Sequence, residues 1–275
     1  MKKIGGKGLY YATDWRIWYV VVLVGLIQMY PVAVSDGQDN SNQLPNSEEL
    51  SNSINNSFDV RGIDISHHNN EIDWAMVGLH KGDKQTHFCF MKATEGGDFV
   101  DKRFVHNWSE AKRHDIAKGA YHFYRPDVAP EIQAKNFIRN VWLDEGDFAP
   151  VLDFEIQGHN RRHCRHLTEN VTKWLKMVET AYGIKPIIYT NLHIYNQYIK
   201  GTPLDKYPIW ASQYNTEKLI GFDGANVFFW QHSQTGRTAG IIGDVDHNVY
   251  LGTYLDLFTL KVKHSRKVVI KEIPA

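Results

Sequence analysis

Pro150-Val151-Leu152-Asp153-Phe154-Glu155 is an apolar run that ends in two acids. Val151, Leu152 and Phe154 suit a buried strand, on which Asp153 and Glu155, two residues apart, project to the same face. Acids in such a strand are costly to bury unless they are paired or functional. The stretch therefore predicts a strand whose end opens on a chemical site. Comparable apolar runs lie at 60–65, 87–92, 117–124, 149–154, 186–190, 208–212, 227–232 and 244–248. Between the first five come amphipathic segments at 73–80, 102–114, 129–143 and 164–182. In the last of these, Leu167, Val171, Trp174, Leu175 and Val178 recur at helical spacing and form a core-facing stripe. Strand–helix–strand repetition with buried strands predicts parallel βαβ units. Eight strands in about 200 residues predict an α/β fold of the irregular, TIM-like β/α barrel kind. The last three strands have short or irregular connections, so its second half is degenerate. A doubly wound open sheet is the alternative, but no glycine-rich phosphate loop follows the first strand.

In a β/α barrel the chemistry sits where the strands end at their C-terminal face. Strand one ends Gly62-Ile63-Asp64-Ile65-Ser66, and strand eight reads Asp244-Val245-Asp246-His247-Asn248. Asp64 and Asp246 thus join Asp153 and Glu155, with Asp244 as the substitute at strand eight because it shares the face of Asp246. A carboxylate cluster in one pocket favours glycoside hydrolysis. One carboxyl must stay protonated to donate to the leaving oxygen, and others ionised to stabilise or attack an oxocarbenium-like centre. Close negative neighbours raise the pKa of one member and keep it protonated near neutral pH. Taken singly, each acid also fits a helix cap or a surface ion pair.

Tyr121, Tyr124, Tyr189, Trp210, Tyr214 and Trp230 fall in or just after predicted strands, where aromatic faces can stack on pyranose rings. An aromatic barrel core accounts for roughly half of them. Lys92 and Glu95, in Met91-Lys92-Ala93-Thr94-Glu95-Gly96, are candidates for charged contacts at the end of strand two. His67-His68, His159, His163 and His166 are the densest histidine groups, but no His-Glu-x-x-His pattern accompanies them, so no metal is expected. The absence of a Gly-x-Ser-x-Gly elbow removes the commonest esterase reading.

The 275 residues are 43% hydrophobic and 23% charged, which excludes wholesale disorder, collagen and coiled coil. A formal net charge of +0 argues against a nucleic-acid partner held by a basic field. The zero hides a segregation: +3 over 1–34, −4 over 35–58 and +4 over 261–275, leaving −3 for the middle. Lys2, Lys3, Lys7 and Arg16 precede an uncharged, mostly apolar run at 17–34, near the lower limit for a membrane-spanning helix. Residues 1–34 are read as a membrane anchor with the rest of the chain outside the cytoplasm, or as a cleaved signal peptide, since Ala33-Val34-Ser35 resembles a cleavage site. Residues 35–57, rich in Asn and Ser, read as a flexible polar linker, and 261–275 as a basic tail. Cys89 and Cys164 do not make a disulfide framework or a metal spacing, and Cys89, inside an apolar run, reads as a buried thiol.

Residues 58–260 resemble the family 25 glycoside hydrolases, lysozymes that cleave between N-acetylmuramic acid and N-acetylglucosamine. The resemblance rests on Gly62-Ile63-Asp64-Ile65-Ser66, Phe90-Met91-Lys92-Ala93-Thr94-Glu95-Gly96, Gly119-Ala120-Tyr121-His122-Phe123-Tyr124 and Pro150-Val151-Leu152-Asp153-Phe154-Glu155. Ile188-Tyr189-Thr190, Ile209-Trp210-Ala211-Ser212-Gln213-Tyr214, Trp230-Gln231-His232-Ser233 and Val245-Asp246-His247-Asn248 follow in the family's order. It implies a (β/α)5(β)3 barrel without cofactor or metal, in which Glu155 is the proton donor and Asp64, Asp153 and Asp246 are its acidic partners. It also implies substrate contacts from Tyr121, Tyr124, Lys92, Glu95, Tyr189, Trp210 and Gln231, and retention at the anomeric carbon. Either a carboxylate attacks directly, or the substrate's own N-acetyl group attacks while Asp153 steadies it. The implied partner is the peptidoglycan glycan strand, met by a monomer that touches the membrane only through an uncleaved N-terminus. Two departures stand out: histidine follows Asp246 where the family often has an apolar residue, and His67-His68 replaces small or polar positions. A chitinase of the Asp-x-x-Asp-x-Asp-x-Glu type would need acids where Phe148 and Val151 stand. A non-catalytic glycan-binding module that keeps the cleft is the rival from another class.

Overall fold

A computed structural model of the protein describes residues 46–79, 85–156, 166–253 and 255–264. Its strands are β1 (Arg61–Ile65), β2 (Phe88–Glu95), β3 (Phe99–Val100), β4 (Ala117–Phe123), β5 (Val151–Asp153), β6 (Ile187–Asn191), β7 (Ile209–Ser212), β8 (Val227–Gly236) and β9 (Val245–Tyr250). The helices are α1 (Ser47–Asn56), α2 (Trp74–Leu79), α3 (Phe104–Arg113), α4 (Pro130–Asn140), α5 (Leu167–Tyr182) and the short α6 (Leu192–Ile194). β1, β2, β4, β5, β6, β7 and β8 pair in parallel in that order. β9 runs antiparallel between β8 and β1 and closes the ring, while β3 folds back on β2 as a hairpin. The result is the mixed α/β, eight-stranded barrel-like sheet that the repeated strand–helix pattern predicts. β9 is reversed because only residues 237–244 join it to β8, and a parallel return needs a crossover of about a dozen residues or more.

Two apolar layers hold the sheet. Inside the barrel, Phe88, Phe90, Phe148, Val151, Trp210, Phe229 and Tyr250 pack together, several of the rings edge to face, with Phe88 and Phe90 each 5.2 Å from Phe229. Gly62 and Gly119 make room for this filling, since a Cβ on either would meet the Phe88 or Phe90 ring at 2.4 Å. Outside, Ile63, Met91, Leu152 and Phe154 meet the helices, and the α5 stripe of Leu167, Val171, Trp174, Leu175 and Val178 is buried there. α5 stops where Gly183 takes a left-handed conformation, φ 70°. Cys89 is a buried free thiol in this layer.

One expectation is corrected. Residues 47–56, inside the segment read as a flexible linker, form helix α1. Asn46 accepts from the backbone N–H of Glu48 and Glu49, and the Glu49 side chain accepts in return from the Asn46 N–H. Ile54 is buried against Trp230 and Val249, with Leu50 and Phe58 beside it. The sparse apolar residues of this segment look insufficient alone, but they meet a bare sheet face that local sequence does not reveal. The Asn46-x-x-Glu49 spacing was the available signal. Among the described residues no helix is long and apolar enough to cross a membrane. The apolar run 17–34, Cys164, His159, His163 and residues 265–275 lie outside the described residues.

Candidate active site

The acids are brought together by the closing of the barrel. Asp64 lies near the C-terminal end of β1 and Asp153 ends β5, with Glu155 two residues on. Asp246 comes from the opposite direction: because β9 is antiparallel, its second residue is the one at this mouth, directly across from Asp64 in the strand register. Asp64 and Asp153 are buried, and Glu155 and Asp246 are partly so. Asp244, the substitute for Asp246, is exposed outside the strand, where it pairs with Arg237 at 3.1 Å.

A polar network fixes Asp64. Its Oδ2 accepts from Gln231 Nε2 and from Asn248 Nδ2, both at 2.7 Å. Gln231 Oε1 in turn accepts from the Tyr189 hydroxyl at 2.7 Å and from the Tyr214 hydroxyl. Asn248 Oδ1 accepts from Trp210 Nε1 at 2.8 Å. Every amide atom of these two side chains is thus committed, and that rigidifies a buried polar cluster. On the far side Asp64 shares a carboxyl–carboxyl hydrogen bond with Asp246, and Asp153 shares one with Glu155.

Two such pairs cannot both be fully ionised in low dielectric. Burial raises the Asp64 pKa against the two amide donors that oppose it. Asp246 is held well above the usual carboxylate range by burial and then by the charge of Asp64. Burial, and next the charge of Glu155, lifts Asp153 in the same way. Glu155 is raised to about 7, first by burial, with its hydrogen bond to Asp153 and the charge of Lys92 pulling the other way. The Asp153–Glu155 pair therefore titrates as a unit that retains one proton near neutral pH. A retained proton beside an ionisable partner is what general-acid transfer to a leaving oxygen requires.

Of the expected substrate contacts, Tyr121 lies on β4 across from Lys92 and Val151. The charges of Asp64, Asp153 and Asp246, after burial, lift its hydroxyl pKa, which places it among the acids. Tyr189 and Gln231 are in the network. Lys92 pairs with Glu95 at 2.6 Å and lies 4.8 Å from the Phe123 ring, and Arg125 approaches Glu95 at 3.5 Å. Three of the six aromatics belong to packed layers, in keeping with an aromatic core for about half of them, and two of these, Tyr124 and Trp210, are buried where substrate contacts were expected. Tyr124 is fully buried in the layer between sheet and helices, edge-on to Phe154. Trp210 is stacked on Phe90 inside the barrel at 4.6 Å and supports Asn248 from beneath. Trp230 points outward to α1. In each case burial of a large ring in a packed layer outweighs exposure at the mouth. Asn248 had no assigned role in the sequence, although its i+2 spacing from Asp246 on a strand places both on one face.

Comparison with known proteins agrees with this geometry. Residues 63–241 match the glycosyl hydrolases family 25, a span that leaves both α1 and β9 outside. The Escherichia coli (strain K12) protein YegX is 38% identical over 202 residues, 73% of each chain. Lysozyme M1 of Streptomyces globisporus is 31% identical over 215 residues, 73% of this chain and 71% of its own. Among solved structures, a family 25 glycosyl hydrolase from Bacillus anthracis superposes with TM-score 0.64 at 30% identity, covering 74% of this chain and 93% of that one. A bacterial lysozyme from Streptomyces coelicolor does so with TM-score 0.63 at 29% identity, covering 73% and 96%. With the fold, four clustered acids and these likenesses in agreement, the chain belongs to glycoside hydrolase family 25 and is a glycoside hydrolase.

Proposed function

We propose that the protein is a muramidase that hydrolyses the β-1,4 bond between N-acetylmuramic acid and N-acetylglucosamine in peptidoglycan, with Glu155 as proton donor. The observation that carries this reading is the gathering of Asp64, Asp153, Glu155 and Asp246 at one mouth of the barrel, where burial raises Glu155 to about 7. Relatives bearing the names lysozyme and N,O-diacetylmuramidase support the substrate class.

Asp153 Oδ1 is buried and has no hydrogen-bond partner among the described residues. A substrate N-acetyl N–H donated to that oxygen would favour the Asp153 anion, so the shared proton would pass to Glu155, where the leaving oxygen needs it. The acetamido oxygen then attacks the anomeric carbon as the glycosidic bond breaks, and Glu155 protonates the departing oxygen. Water, deprotonated by the Glu155 carboxylate, opens the resulting oxazolinium ion from the other face and leaves the configuration retained. Asp64 and Asp246 supply the negative field that stabilises the developing positive charge. Tyr121, Tyr189, Gln231, Lys92 and Glu95 form the surrounding wall. The basic, apolar N-terminus exports the barrel or tethers it outside the cytoplasm, where the polymer lies.

The test is incubation of the chain and of Glu155→Gln with purified peptidoglycan, followed by borohydride reduction and mass spectrometry. Reduced muramic acid ends from the wild type alone are expected. Reduced glucosamine ends would reassign the cleaved bond. Saturable binding without products would make the protein a glycan-binding module.

A further inference from the structure

Strand β9 carries two members of the acid network, Asp246 and Asn248, on its inward face. Its outward face presents His247 and Val249, and the neighbouring β8 presents Trp230 and His232 beside them. Among the described residues no crossover helix follows β8 or β9 to cover these residues. Helix α1, from upstream of the residues matched to the family, does so instead. Ile54 packs on Trp230 and Val249. Asn55 spans both histidines, with Nδ2 3.1 Å from His247 Nδ1 and Oδ1 3.2 Å from His232 Nε2. Ser51 Oγ lies 3.2 Å from the same His247 nitrogen, and Thr238 Oγ1 lies 3.0 Å from its other nitrogen.

One pair of neutral tautomers, assigned from these partners, is compatible with these contacts, with the single lone pair of His247 Nδ1 shared between two donors. His247 accepts at Nδ1 from Asn55 and Ser51 and donates from Nε2 to Thr238, while His232 donates from Nε2 to Asn55. The ring of His247 is thereby held on three sides, from α1 and from the turn between β8 and β9. Since side chains alternate across a strand, fixing His247 on the outside fixes Asp246 and Asn248 on the inside.

We propose that helix α1 is part of the catalytic unit: through Ser51, Asn55 and His247 it holds β9, and with it Asp246 and Asn248, in register against Asp64. Asn55 and His247 are positioning residues, acting through the strand and not on the sugar. The inference rests on the muramidase reading for its effect on turnover, but its geometric part does not.

The test uses the full chain with Asn55→Ala, His247→Leu and, as a control on the exposed side of the same helix, Asn52→Ala. Two quantities are read: kcat and KM on peptidoglycan, and hydrogen exchange of the β9 and β5 amides. Asn55→Ala and His247→Leu are expected to lower kcat about tenfold with KM within about twofold, because a small displacement of a reacting group costs rate before it costs binding. Exchange should quicken across 245–250 and not across 151–153, and Asn52→Ala should match the wild type. Should His247→Leu fail to fold, Ser51→Ala, which removes one hydroxyl, takes its place. Wild-type exchange of β9 in the variants would overturn the proposal. So would an equal rise in β5 and β9, which would make α1 a general stabiliser. A wild-type chain inert on peptidoglycan would defeat the muramidase reading and leave the exchange result to decide this one.

Discussion

The two sides of the barrel are built by different rules. From β1 to β6 each barrel strand leads, directly or in the case of β2 through the β3 hairpin, into a helical segment, so the cover of a strand is its neighbour in sequence. Across β8 and β9 the chain turns back without a helix, and the cover is α1, about 180 residues upstream of β8 by the numbering. The first side carries the proton-holding pair Asp153–Glu155. The second carries the pair-mate Asp246 and the donor Asn248 that fix Asp64. Local rules therefore build the acid and long-range docking builds its counterpart, so damage to the two sides should read out differently.

The largest effect is expected on the first side. Glu155→Gln removes the group with the retained proton and should lower kcat by about 10²–10⁴-fold, measured as release of reducing ends. Stability should separate the two sides next. Trp174, fully buried between α5 and the sheet, should cost about 3–5 kcal/mol on change to Ala in urea unfolding. Ile54→Ala, at the thin α1 contact, should cost about 2 kcal/mol, the low end for such a truncation. Equal losses at the two positions would erase the distinction.

The pH dependence sharpens it further. With Glu155 raised to about 7 and Asp153 raised beside it, kcat/KM should fall on the basic side once the pair gives up its shared proton, at or above pH 7. Lys92 lowers the pKa of Glu155, so Lys92→Met should move this limb upward, by up to about one unit. A downward shift would show that Lys92 does not act on the acid through its charge. The smallest effect belongs to the second side. Burial holds His247 down to about 4 and, with the charge of His247, His232 down to about 3. Their folded pKa values lie below the ordinary 6.5, so the unfolded chain binds more protons and stability must fall as pH drops from about 6.5 toward 4. Above about 6.5 the two histidines contribute their full share. His247→Leu should flatten that slope in urea titrations at stepped pH; an unchanged slope would mean that His247 is protonated in the folded chain.

Much of the first side was readable in the amino acids. A 3.6-residue stripe in α5, short apolar runs, and acids two apart on a strand each depend on neighbours within one element. That dependence singles out Asp64, Asp153 and Glu155, and Asp246 with them although it stands on the second side. The rings are less legible in the sequence. Trp210 and Trp230 sit on strands and Tyr124 just after β4, but which face of the sheet each one meets depends on the closed ring. Asn248 looked inert because its value comes from Asp64 and Trp210, which are far away in the chain.

The chain's own residues thus determined the barrel class and the four acids, because strand alternation and helical periodicity are local consequences of side-chain geometry. Folding in three dimensions decided that β9 runs backward, that Asp246 faces Asp64, and that a polar stretch becomes helix α1. Each of those is a contact between distant segments, whose free energy exists only once the sheet has closed and left a bare face to cover.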